Sequence, residues 1–103
     1  MKSPEYEEIL SDVKKQFEEK EKQIEYEIYD LEKKKILLSI AKHNNDIYMF
    51  NETELDIIDY YSVIGVTKEE VNQYDVELQK NYNRISELHK IYNILDNVCK
   101  NLQ

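Results

Sequence analysis

FNETELDIIDYYSVIGVTKEEV, residues 50–71, punctuates a chain that otherwise reads as charged helix. Asn51 followed by Glu54 has the spacing of a capping box, in which the cap side chain accepts from a free backbone N–H and the carboxylate reaches back to the cap. Phe50 and Leu55 flank it at the spacing of a hydrophobic staple. Gly65 supplies the left-handed residue that closes many helices, and Thr67 with Glu70, flanked by Val66 and Val71, repeats both start signals. The spacing predicts a short helix over 52–64, held between two corners, with a long helix on either side.

Upstream, Ser3 can cap a helix whose first residue is Pro4, where the missing N–H costs nothing. Leu10, Phe17, Ile24, Leu31 and Leu38 then recur every seven residues, the interval that keeps one side chain per two turns facing a neighbour. The complementary line is poor: Val13 is followed by Lys20, Glu27 and Lys34, with Ile28 as a partial substitute. ILLSIA at 36–41 is apolar on several faces, and His43, Asn44, Asn45 and Asp46 read as a stop, so a helix is predicted over 4–43. About forty residues at 1.5 Å rise span on the order of 60 Å.

Downstream, a helix is predicted over 68–102 with the cleanest heptad in the chain. Val71, Leu78, Ile85, Tyr92 and Cys99 form one line; Tyr74, Asn81, Leu88, Leu95 and Leu102 form the other. Asn81 is the one polar member, the kind of residue that can fix register at some cost in stability. If the long helices fold back on each other, facing residues carry numbers that sum to about 112, so Leu10 meets Leu102, Phe17 meets Leu95, Ile24 meets Leu88, Leu31 meets Asn81 and Leu38 meets Tyr74. The fold class expected is all-α: an antiparallel helical hairpin with a coiled-coil-like stalk and the short third helix at its tip. That tip would bury Ile36, Leu37, Ile40, Ile47, Met49, Phe50, Leu55, Ile58 and Ile64. The stalk seam is left half open to water, and oligomerisation would complete a bundle.

Composition agrees. With 103 residues there is material for one domain, and with one Gly, one Pro and 35% charged residues there is little for β-turns or Gly-rich loops. The start, MKSPEYEEIL, lacks the apolar run of a signal peptide, and no segment is long enough to span a bilayer, so a cytoplasmic protein is expected. A net charge of -8 argues against direct binding to nucleic acid or an anionic membrane, both of which need clustered cations. Lys33, Lys34 and Lys35 fan around a helix beside Glu32 and do not line one face. Cys99 has no partner for a disulfide, and its heptad spacing suits a reduced core thiol.

Two surfaces stand out. The last helix carries Ile91, Ile94 and Val98 beside its seam, with Leu102, and the first helix carries Tyr6, Ile9 and Val13 at the same end. Those are more apolar groups than one two-helix seam can hide. Two hairpins meeting there would form a four-helix bundle. The charge is also uneven: residues 44–70 hold seven acids and one base. Glu52, Glu54, Glu69 and Glu70 fall in first turns, where carboxylates favour the helix dipole, which leaves Asp46, Asp56 and Asp59, with Tyr60, as a candidate acidic head.

No catalytic, cofactor or metal site is expected. Asp56 and Asp59 lack the alternating oxygen ligands and glycine of a calcium loop, and His43 and His89 fall at opposite ends of the stalk. No Gly-rich loop cradles phosphate. The sequence Asn51-Glu52-Thr53 matches a glycosylation acceptor, but the cap accounts for that Asn. In size and helical-hairpin form the chain is similar to small adaptors, secretion chaperones and secreted hairpins such as those of type VII systems, but the Trp-x-Gly turn of the last is absent, and Tyr61-Ser-Val-Ile-Gly65 is not that motif. The expectation is a non-enzymatic protein–protein interaction module, an adaptor, chaperone or assembly subunit, forming a homodimer or hetero-oligomer through apolar helix faces. The rival expectation, from another class, is an acidic inhibitor of phage type that imitates nucleic acid and occupies a basic groove on its target.

Overall fold

The computed structural model describes residues 3–48 and 60–102, and among these the only regular secondary structure is helix. Four helices follow in order: α1 over Pro4–Tyr48, α2 over Tyr60–Ile64, α3 over Lys68–Asn72 and α4 over Tyr74–Asn101. The expected capping box at Asn51 and staple at Phe50 and Leu55 lie outside the described residues.

Each described boundary has a local cause. The Ser3 hydroxyl accepts from the Tyr6 N–H at 3.2 Å, and Glu5 and Glu7 occupy the first turn of α1. At the end of α2, Gly65 takes φ +95, and its N–H and that of Val66 both donate to the Tyr61 carbonyl. Thr67 and Glu70 form both halves of a capping box: the Glu70 N–H donates to Thr67 Oγ1 at 3.0 Å, and the Thr67 N–H donates to Glu70 Oε1 at 2.9 Å.

Two boundaries differ from the sequence expectation. The helix expected to stop at His43 continues through Asn44, Asn45 and Asp46 to Tyr48. Asn and Asp each cost only about 0.5 kcal/mol in a helix, too little to end one that Leu38 and Ala41 have just anchored in a fully buried cluster. The helix expected over 68–102 is interrupted at Gln73, whose backbone takes φ -103 and ψ 34. Asn72-Gln73-Tyr74 contains no Gly or Pro, so the break is tertiary. It lies between two attachments to α1, Glu70 to Lys34 and Tyr74 to Ser39.

The chain divides into two compact units, one of residues 1–29 with 84–103 and the other of residues 30–83. In the second unit, Leu38, Ala41, Val66 and Val71 form a buried cluster against which Leu37, Tyr61, Ile64 and Tyr74 pack. Ile36 and Ile40, expected inside, are exposed: they fall on the face of α1 turned away from Leu38 and Ala41. Of the other residues assigned to that interior, Ile47 falls in the last turn of α1, and Met49, Phe50, Leu55 and Ile58 lie outside the described residues. Here α1 and α4 meet through Ser39 Oγ and Tyr74 Oη at 3.0 Å, and through Lys35 Nζ lying 5.7 Å from the Tyr82 ring centre.

In the first unit the same two helices pair with Arg84 against Glu27, Tyr92 against Glu25 and Cys99 against Glu21. Rising numbers on α4 meet falling numbers on α1, so the pair is antiparallel. Ile85 and Leu88 are the buried apolar residues of this unit, while Leu10, Phe17, Ile24, Leu95 and Leu102 stay half-buried. Two helices cannot enclose a seam that four elements enclose in the other unit.

Candidate functional site

The site is built from heptad geometry in the first unit. In α1, Leu10, Phe17 and Ile24 take position a, and Tyr6, Val13 and Lys20 position d; in α4, Ile85, Tyr92 and Cys99 take a, and Leu88, Leu95 and Leu102 take d. Position g borders d, and position e borders a. Reversing one helix against the other puts the two g rows along one edge of the seam and the two e rows along the opposite edge. Observed contacts agree. Arg84, a g residue, reaches Glu27 at d, while Cys99 at a faces Glu21 at e.

The two edges differ in kind. The g edge holds Ile9, Ile91 and Val98, together with the polar Gln16, Gln23 and Arg84, with Ile94 beside them at c and Tyr6, Val13 and Leu102 at d beneath. Tyr6, Ile9, Ile91, Ile94 and Val98 are exposed, and Val13 and Leu102 half-buried. The e edge holds Glu7, Lys14, Glu21, His89 and Asp96, with half-buried Ile28 as its apolar member. The apolar residues singled out in the sequence therefore share one edge, and the opposite edge is polar. A shallow depression lined by Glu7, Leu10, Ser11 and Lys14 lies on α1 alone, toward the polar side.

At its inner limit the apolar edge is bounded by charge. Arg84 donates through Nε to Glu27 Oε1 at 3.0 Å and through Nη1 to Glu87 Oε1 at 3.1 Å. The Glu27 hydrogen bond is the main reason the Arg84 guanidinium is held above its ordinary pKa, with Glu87 adding to it. These groups are close to half exposed, so their net contribution to stability is small. Sequence reasoning missed them. It read Glu27 and Lys34 as defects in an apolar line, whereas each forms an ion pair with another helix of the same chain; the only signal was that Arg84 is the single arginine in the chain.

Cys99 is a free, half-buried thiol. Burial first, and the neighbouring Glu21 carboxylate second, push the thiol above its ordinary pKa, which suppresses the nucleophilic thiolate. The Tyr92 hydroxyl is likewise pushed up, chiefly by its hydrogen bond to Glu25. Among the described residues no group of three or more His, Cys, Asp or Glu is placed to hold a metal ion, and no helix is long and apolar enough to cross a membrane.

The acidic head divides. Asp56 and Asp59 lie outside the described residues, Asp46 falls in the last turn of α1 and Tyr60 opens α2. Glu70 is committed elsewhere, accepting from Lys34 Nζ at 2.9 Å as well as from Thr67. Burial alone would raise its carboxyl, but the bonds from Lys34 and Thr67 outweigh that and hold it below the usual glutamate value. Comparison with protein-family models, with curated proteins and with solved structures found no match.

Proposed function

We propose that the chain is a non-enzymatic protein-interaction module: an antiparallel helical hairpin that binds a protein partner through the apolar edge formed by Tyr6, Ile9, Val13, Ile91, Ile94, Val98 and Leu102. The observation that carries this reading is the lateral division of the first unit. Scattered exposed apolar side chains are normal on any protein, but several gathered on one edge, with charged residues along the other, are the pattern of a helix pair completed by further helix. A branched side chain returns about 1.5–3 kcal/mol on full burial, and these retain roughly a third to three-fifths of that still to be gained, so several must be covered together to offset the cost of association.

The test is capture from host extract with the natural chain and with Ile94→Asp combined with Val98→Asp, at low and high salt. A specific protein retained at high salt and lost from the double variant supports the apolar edge. A protein retained by the double variant but released by salt would move the function to the acidic segment and refute this reading.

A further inference from the structure

We propose that the occupant of the apolar edge is a single amphipathic α-helix whose apolar stripe is bordered on one flank by Lys or Arg, a proposal that rests on the interaction reading above. Glu5, Asp12 and Glu19 occupy successive c positions of α1, just outside the g row that contains Ile9. One heptad separates each from the next, roughly 10 Å along the helix. All three are exposed, and none takes part in an ion pair among the described residues. The acids of α4 in this unit are differently placed: Glu87 is paired with Arg84 and Asp96 with Lys100.

The rim of the edge is therefore lopsided. Its α1 border is a row of unpaired carboxylates, and its α4 border is Lys90, Asn97 and Asn101. A helix seated between the two borders places one flank against three carboxylates, only partly offset by Lys15 and Lys22 behind them, which favours cations there and disfavours acids. A second copy fits the apolar stripe but not the rim. Two-fold packing of α1 on its equivalent sets the same acidic row against itself, and packing of α4 on α1 of the second copy offers that row Lys90 alone. The span from Glu5 to Glu19 corresponds to an occupant of about four turns.

The probes are two synthetic amphipathic helices of about eighteen residues, with the same leucine stripe and with either Lys or Glu along one flank. Fluorescence anisotropy with the full chain should give about ten-fold tighter binding of the Lys peptide near 0.1 M salt, an advantage that fades toward 1 M. Asp12→Lys with Glu19→Lys should reverse the preference. Glu7→Lys with Glu18→Lys, the same charge change on the opposite side of α1, should preserve it. If both double variants behave alike, net charge and not the rim is read, and the proposal fails. Equal affinity for the two peptides, abolished by Ile94→Asp with Val98→Asp, overturns the basic flank but leaves the apolar edge as the contact. Light scattering that gives a dimer refractory to both peptides makes a second copy the occupant and also overturns it. Peptide binding indifferent to Ile94→Asp and Val98→Asp would remove the interaction reading itself.

Discussion

Leu88 and Ile94 lie six residues apart on α4, in the same unit, and offer a measurement of what covers the apolar edge in solution. Leu88 is 2% exposed and Ile94 is 62% exposed. Leu88→Ala removes a buried isobutyl group and leaves a cavity, a change that costs about 3 kcal/mol. Ile94→Ala removes a side chain only about two-fifths covered, so of the roughly 2 kcal/mol that full burial returns, about 0.8 kcal/mol is at stake, with no cavity left behind. Alanine is also the better helix former, by about 0.4 kcal/mol, so the net loss at Ile94 should fall below about 0.5 kcal/mol. The assay is thermal unfolding followed by circular dichroism, at several protein concentrations. Leu88→Ala should lower the melting temperature by about 15 °C and Ile94→Ala by no more than about 3 °C, independently of concentration. Losses of equal size at both positions would refute the reasoning. A loss at Ile94 that grows with concentration would mean that a second copy covers it.

Two further outcomes follow from the corners. Glu70 has a folded-state pKa below its ordinary 4.5, so its contribution to stability is fully present above that value and is lost as pH falls through the folded pKa; Glu70→Gln should flatten that acid limb in denaturation midpoints measured from pH 6 down to 3. Gly65→Ala should destabilise by about 1 kcal/mol through its φ of +95 alone, because the added methyl would come no nearer than 4.0 Å to Leu37 Cδ1, and a loss above about 3 kcal/mol in urea unfolding would point to a clash instead.

Much of this was legible in the sequence, for identifiable reasons. The a and d lines from Val71 to Leu102 keep their seven-residue interval across the break at Gln73, and all ten of their residues are buried or half-buried. Local chemistry also wrote the capping roles of Ser3, Gly65, Thr67 and Glu70 plainly, since each cap closes within four residues of itself, whereas the pairing of Glu70 with Lys34 is long-range. Long-range balance was not legible. Asn44 and Asp46 read as a stop because their propensities are visible and the anchoring of Leu38 and Ala41 is not. Ile36 and Ile40 read as interior because apolar character does not say how many neighbours a helix has. At the candidate site the surplus apolar residues were legible one by one, but their gathering on one edge, and the unpaired row of Glu5, Asp12 and Glu19 beside it, required the antiparallel pairing that sets g against g.

The contact between Arg84 and Glu27 has a meaning beyond its small energy. An apolar ladder that repeats every seven residues can be threaded one rung out of place with little loss of contact. Seven residues on either side of Glu27 stand Lys20 and Lys34. A slip in either direction therefore carries the only arginine of the chain from a carboxylate to an ammonium, turning attraction into repulsion. The pair works as a check digit for its own stretch of the seam: silent when the two helices are correctly aligned, and penalising a slip in either direction.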